Sequence, residues 1–156
     1  MSDSHRNLNH MLYAVRQAEP DVIIHLGDHI ADARELKRRL PEPTYHLVKG
    51  NCDVHAFGDA ESLVTLDGLK ILITHGHKYG VKNGLAALIE GAQLKGAGLV
   101  LFGHTHQPTI KELQGLWLMN PGQMGRHDSG APASYGIVTI TSGVPNCEIA
   151  RLPLQK

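Results

Sequence analysis

Thiols are scarce in this 156-residue chain: Cys52 and Cys147 allow at most one disulfide, which excludes a disulfide-stapled scaffold and makes the cytosol the expected location. Charge of one sign is missing too. Lys plus Arg equals Asp plus Glu at 15 each, the formal net charge is zero, and no basic block offers a track for a nucleic-acid backbone, so charge-driven nucleic-acid binding is excluded. There is no run of about 18 apolar residues to cross a membrane and no charged-then-apolar leader, so a soluble protein is expected. Aromatics are few, with two Phe and one Trp, and repeats and low-complexity tracts are absent. Length and a hydrophobic content of 42% suit one domain over 1–156.

Histidine is what the chain has in excess, 11 in all, mostly beside Gly, Asp or Asn rather than inside apolar stripes. Imidazole is the commonest side-chain metal ligand. The segments 22–26, 45–48, 70–73 and 99–102 are short, apolar and rich in β-branched residues, and read as buried strands. Each leads into a polar group: Asp28, Asn51, His75, and His104 with His106. A fifth polar run, Asp3-Ser4-His5, stands at the head of the sequence. In open α/β sheets ligands bind outside the carboxyl ends of strands, so these groups can converge despite their separation along the chain.

The remaining pattern predicts a helix over 9–18, a helix over 32–40 stopped by Pro41 and Pro43, and therefore a parallel β-α-β unit with the strands that flank the second helix. Asp67-Gly68 predicts a tight antiparallel hairpin between 63–66 and 69–73. A third helix is expected over 83–95 with Asn83 as its cap. Beyond Pro108 only hairpins are predicted, 109–113 with 116–119 and 135–141 with 147–152. The Gly-rich loop 120–133 is the longest irregular piece.

Asp3 and His5 alternate with Ser4, so an extended segment puts both side chains on one side; His104 and His106 do the same. With Asp28, Asn51 and His75 there are seven O and N ligands, too many for one ion. Two ions are served if Asp3, His5 and His106 hold one, Asn51, His75 and His104 hold the other, and Asp28 is shared. Carboxylate and imidazole without thiolate suit Mn, Fe, Ni or Zn, and ligand softness alone does not choose among them. Gly27, Gly50, Gly76 and Gly103 flank these residues, where tight turns and close backbone approach need a missing Cβ.

The blocks Asp-x-His, Gly-Asp, Gly-Asn-Cys-Asp, Thr-His-Gly-His and Gly-His-Thr-His, in that order, resemble the calcineurin-like metallophosphoesterase superfamily, and within it the small single-domain bacterial and archaeal phosphodiesterases. The resemblance covers nearly the whole chain. It implies an α/β fold, a four-layer α/β/β/α sandwich of two mixed β-sheets flanked by helices. It also implies two divalent metal ions on the seven ligands above and phosphoester hydrolysis by a metal-bridging hydroxide, on a small phosphoester substrate. Asn51 and His75, with His77, are the residues expected to act on it. Two metals about 3.5–4 Å apart suit an in-line displacement.

Two departures from the family pattern stand out. Cys52 follows Asn51 where larger members carry a histidine that can protonate the leaving group, which leaves His77 and His55 as candidate acids and favours good leaving groups and diesters. Only Met1-Ser2 precede Asp3 where family members have an apolar strand. The chain is thus expected to lack the usual first strand, through a start assigned too late or a truncation. The same fold also serves as a scaffold subunit in membrane-coat trafficking, with family ligands replaced; intact ligands argue against a non-catalytic interaction module here, and a truncated, inactive form is the other alternative. The C-terminal hairpins offer a surface for homo-oligomerisation.

Plainer roles are expected elsewhere. His25 and His46 lie inside apolar runs and read as satisfied core or supporting histidines. Cys52 reads as a small buried hydrophobe and Cys147 as packing. His10, His29 and His127 read as surface groups, the 34–39 run as a solvated helix face, and Arg126 as a candidate for a substrate phosphate.

Overall fold

The structure, a computed structural model, describes residues 1–125 and 132–153. Helix α1 (Leu8–Ala18) forms because Leu8, Met11, Leu12 and Val15 repeat at helical spacing. Asn7 caps it by accepting the His10 N–H at 3.3 Å, and it stops at Glu19, in left-handed conformation, just before Pro20. Strand β1 (Val22–His25) follows, then α2 (Ile30–Arg39) and β2 (Thr44–Leu47), which pairs parallel with β1 as the β-α-β pattern requires.

Strands β3 (Glu61–Leu66) and β4 (Leu69–Thr74) form the expected hairpin, with positive φ at both Asp67 and Gly68. Helix α3 (Ala86–Leu94) leads into β5 (Leu99–Leu101), and β6 (Thr109–Leu113) turns at Gln114-Gly115 into β7 (Leu116–Asn120). The last hairpin is β8 (Ser134–Thr141) with β9 (Val144–Arg151). One expectation fails here. Asn83 does not cap α3, which starts at Ala86 after Leu85 with no side-chain cap, because Gly84 at φ 142 turns the chain between them.

A mixed five-stranded sheet, β3-β4-β5-β7-β6, carries α3 on one face, where Leu72, Val100 and Leu118 meet Leu88 and Ala92. Its other face packs Ile71, Ile73, Leu99 and Met119 against Leu26, Val138 and Ile149 of a second β layer. That layer consists of two ladders, β1-β2 and β8-β9, and α1 and α2 cover it through Met11, Val15, Ile23, Leu36 and Tyr135. The order is α/β/β/α, as the family resemblance implies. No helix among the described residues is long and apolar enough to cross a membrane.

His25 is fully buried but not satisfied. Its Nδ1 accepts the Gly27 N–H at 3.3 Å, so the proton sits on Nε2, which is buried without a partner among the described residues. Burial, with the Met1 amine nearby, pushes His25 from 6.5 down to about 3. Below pH 6.5 the unfolded chain therefore takes up a proton that the folded chain refuses, and stability falls as pH drops from about 6.5 towards 3, by on the order of 4 kcal/mol. His25→Leu is expected to flatten that slope in urea titrations at stepped pH; an unchanged slope would assign the acid sensitivity to other groups.

Candidate metal centre

The sequence places a polar group beyond the C-terminal end of each of β1, β2, β4 and β5, and the fold brings those ends together. Asp28 lies three residues past His25, Asn51 follows the turn after β2, His75 directly follows β4, and His104 lies three residues past Leu101. Asp3 joins them because its backbone is clamped on two sides: its N–H donates to Gly27 O at 3.0 Å and its C=O accepts the Gly125 N–H at 3.0 Å.

Asp3, His5 and His106 put one ligand atom each within 4.8 Å of one another, with His106 Nε2 at 3.1 Å from Asp3 Oδ1. Asp3, Asp28 and His75 form a second such group, all three buried. Asn51 Oδ1 and His104 Nδ1 complete it, at 3.1 and 3.2 Å from His75 Nε2. All seven expected ligands are thus gathered, but not along extended segments. Asp3, His5, His104 and His106 have φ of 52, 44, 67 and 59°, so each pair converges through left-handed turns rather than by alternation on a strand.

The contacts around His75 test whether a cation fits. Its Nδ1 lies 2.8 Å from Leu26 O, an acceptor, so Nδ1 donates there and Nε2 is the nitrogen that faces the cluster. Nε2 lies 3.1 Å from Asn51 Oδ1, 3.5 Å from Asp28 Oδ1 and 4.0 Å from Asp3 Oδ1. Asp3 Oδ1 is itself buried with no hydrogen bond among the described residues, although His106 Nε2 is 3.1 Å away. Buried oxygens converging in this way call for positive charge among them, on an imidazole or on an ion. The donor set fits a hard or borderline divalent ion.

Electrostatics prepare the ligands. Burial, then His75, pushes His104 down to about 4, and burial likewise lowers His5, which favours the neutral imidazole that binding a metal would require. His106 is raised by its contact with Asp3. Burial opposes ionisation of Asp3, but His106, His75 and the 2.5 Å hydrogen bond from Ser2 Oγ outweigh it and hold the carboxyl below its usual range. The charge of Asp28 acts on His5, His104 and His106 alike.

Supporting groups were less visible in the sequence. Asp53 accepts the Gly50 N–H and the Ile30 N–H, both at 2.9 Å, so one carboxylate fixes the Asn51 turn and caps α2 from 23 residues away. Asp32 Oδ2 accepts Ser4 Oγ at 2.7 Å and the Arg6 N–H at 2.8 Å, bracing His5. Asn120 Nδ2 donates to Gly103 O and to Thr105 Oγ1, bracing the His104 turn. Two histidines expected at the surface are partly buried. The His29 ring centroid lies 5.1 Å from that of His5, and His10 Nδ1 is 2.7 Å from Met124 O.

Of the candidate acids, His77 joins the cluster, with ring centroids 5.3 Å from His75 and 6.1 Å from His104, whereas exposed His55 has no contact with it. Burial, then His75, lowers His77, and its Nδ1 is buried with no partner. Cys52 is exposed, not the buried hydrophobe expected, because its N–H is drawn to Asp28 Oδ1 at 2.8 Å and the turn faces outward. Local desolvation and the Asp28 carboxylate push its thiol up to about 11, against a thiolate ligand. Cys147 packs on the inter-sheet core. Arg126 and His127 lie outside the described residues.

A profile of the calcineurin-like phosphoesterase superfamily domain matches residues 1–143. The chain belongs to that superfamily. As a calcineurin-like phosphoesterase it is 38% identical over 145 residues to the Bacillus subtilis protein named probable metallophosphoesterase YsnB, a match covering 90% of this chain and 82% of that one. It is 32% identical over 101 residues to the Escherichia coli phosphodiesterase YfcE, covering 58% and 50% of the two chains. Among solved structures, a Streptococcus pneumoniae protein titled a predicted phosphoesterase superposes with a TM-score of 0.77 at 25% identity, over 97% of this chain and 86% of that one. Divalent-metal use, implied by the superfamily, agrees with the two ligand groups found here.

Proposed function

We propose that the chain is a cytosolic, divalent-metal-dependent phosphodiesterase with a dinuclear site, manganese favoured, acting on a small phosphoester. The observation that carries this reading is the convergence of Asn51, Asp28 and Asp3 oxygens on His75 Nε2, beside a second close group at Asp3, His5 and His106. Asp3, His5 and His106 would hold one ion and Asn51, His75 and His104 the other, with Asp28 shared. When bound, the ions would supply Lewis acidity toward the phosphoryl oxygens and activate water as the nucleophile. The chain's own residues position and protonate. Asp53, Asp32 and Asn120 keep the ligand turns fixed, and His77, at the edge of the cluster, holds a proton toward the departing oxygen.

The test is hydrolysis of bis-p-nitrophenyl phosphate and p-nitrophenyl phosphate by chelated, demonstrably folded protein, before and after Mn²⁺ is returned. Diester turnover restored by metal, with the monoester slower, is expected. If both esters stay inert while metal is bound, the phosphodiesterase reading fails; tight partner binding that survives chelation would instead favour an interaction module.

The role of His77 has its own signature. His77→Asn is expected to slow a diester with a poor alkyl leaving group by about a hundredfold, and bis-p-nitrophenyl phosphate by less than about tenfold, because a good leaving group needs little protonation. Equal losses on both would make His77 a structural group.

A further inference from the structure

No hydrogen bond at Nδ1 holds the His77 ring: that atom is buried without a partner among the described residues, so the ring's place beside His75 and His104 depends on the backbone that carries it. That backbone is a 3₁₀ turn, His77–Tyr79, set between Gly76 at φ 94° and Gly80 at φ 61°. Its backbone bonds close on the turn itself. Tyr79 N–H donates to Gly76 O at 3.0 Å, Gly80 N–H to His77 O at 3.2 Å and Val81 N–H to Gly76 O at 3.5 Å. A short turn of this kind, flanked by permissive glycines, does not fix its own orientation. Side chains must supply that.

Two side chains attach the turn to the body of the domain. Val81 joins the core cluster of Leu72, Leu88 and Phe102. Tyr79 lays its ring against α3 at Gly91, where a Cβ would stand 2.7 Å from Tyr79 Cε1. Glycine is disfavoured inside a helix, and here it makes the space that the ring fills. The Tyr79 hydroxyl donates to Glu61 Oε2 at 2.6 Å, and Lys95, just past the end of α3, places Nζ 3.5 Å from both that hydroxyl and Glu61 Oε1. Glu61 pairs across the β3-β4 ladder with Thr74, the residue before His75. One phenol thus ties the turn to α3 and to the rung of β4 that leads into the candidate metal centre. The partly exposed Lys95–Glu61 pair alone would hold little, whereas the hydrogen bond from the phenol to a carboxylate is charge-assisted and the stronger tie.

We propose that Tyr79, latched between Gly91 and Glu61, is the positioning residue for His77: it holds the 3₁₀ turn so that the imidazole stays at the edge of the metal cluster. The consequence for turnover rests on the phosphodiesterase reading above. There His77 serves the departing oxygen, so loosening the latch slows chiefly the esters that need His77. A tyrosine that only stabilised the fold would slow every ester alike.

The experiment compares the wild-type chain with Tyr79→Phe, which keeps the ring on Gly91 and removes the bond to Glu61, and with Glu61→Ala and Glu61→Gln, which remove or keep an acceptor oxygen on the other side of that bond. In EDTA, NMR cross-relaxation between the His77 and His75 rings, whose centroids lie 5.3 Å apart, is expected to fall at least about threefold in Tyr79→Phe and Glu61→Ala, with exchange at the Gly80 amide about tenfold faster. Glu61→Gln should stay within about twofold of wild type on both measures, because its carbonyl oxygen still accepts. With Mn²⁺, Tyr79→Phe should slow a diester with an alkyl leaving group about tenfold or more, slow bis-p-nitrophenyl phosphate less than about threefold, and add no further loss to His77→Asn. Wild-type cross-relaxation in both Tyr79→Phe and Glu61→Ala, equal slowing of the two diesters, or a loss that multiplies with that of His77→Asn overturns the proposal. A wild-type chain that binds metal yet hydrolyses neither ester ends the phosphodiesterase reading instead, and the EDTA measurement then decides the latch by itself.

Discussion

Asp28→Ala is expected to cut metal-restored diester hydrolysis by about a thousandfold or more, the scale of losing a ligand that serves both ions of a two-metal site. Asp28 is 3% exposed, its Oδ1 lies 3.5 Å from His75 Nε2, and the same oxygen accepts the Cys52 N–H that fixes the turn carrying Asn51. Alanine therefore removes a carboxylate from among six other candidate ligands and frees the Asn51 turn at once. The freed N–H costs about 1–3 kcal/mol, but the change also removes a buried charge, so the variant should still fold. Asp28→Asn separates the two effects. Its carbamoyl oxygen can keep the Cys52 hydrogen bond while losing the charge, so it should unfold at the wild-type denaturant midpoint yet bind less metal. Turnover against Mn²⁺ concentration, with metal counted on the dialysed protein, distinguishes these outcomes. Full activity of Asp28→Ala after chelation and metal return would remove Asp28 from the site.

The parts of this molecule that local chemistry decides were readable from the chain. Asp67-Gly68 and Gln114-Gly115 take the positive φ that a two-residue hairpin requires, and the apolar run 71–73 is buried on both faces as its unbroken pattern indicates. The candidate ligands Asp28, Asn51, His75, His104 and His106 were readable for a related reason, since they follow strands. The path by which the ligands meet was not. Asp3-Ser4-His5 and His104-Thr105-His106 read as alternation, but positive φ at a non-glycine residue is imposed by distant contacts such as Gly125 N–H to Asp3 O and Asn120 to Gly103 O. Asp53 capping α2 and Asp32 bracing His5 are tertiary in the same way. The expectation that Asp28 is shared rests on its place after a central strand; Asp3 also falls in both close groups, because the backbone clamp carries it between them.

Gly27→Ala is expected to destabilise the fold by on the order of 4 kcal/mol and to weaken metal binding in whatever protein remains folded. Two costs coincide at this position. Its φ of 98° is a conformation that a residue with a Cβ adopts only under strain, and a Cβ there would lie 2.5 Å from Gly50 N and 2.8 Å from Gly50 Cα. Those are backbone atoms, which cannot rotate aside as a side chain does. Relief therefore requires the turn holding Asp28 to part from the turn holding Asn51, although Gly50 N–H is tied to Asp53 and Cys52 N–H to Asp28. The same separation would open the contact by which Asp3 N–H reaches Gly27 O. Urea unfolding measured with EDTA present reads the strain alone, and the shift of the midpoint on adding Mn²⁺ reads the ligand geometry. The wild-type chain should gain more from Mn²⁺ than the variant does. An equal metal-induced shift in both would mean that the two turns hold their ligands independently, and the close approach of Gly27 to Gly50 would then matter to folding but not to the metal centre.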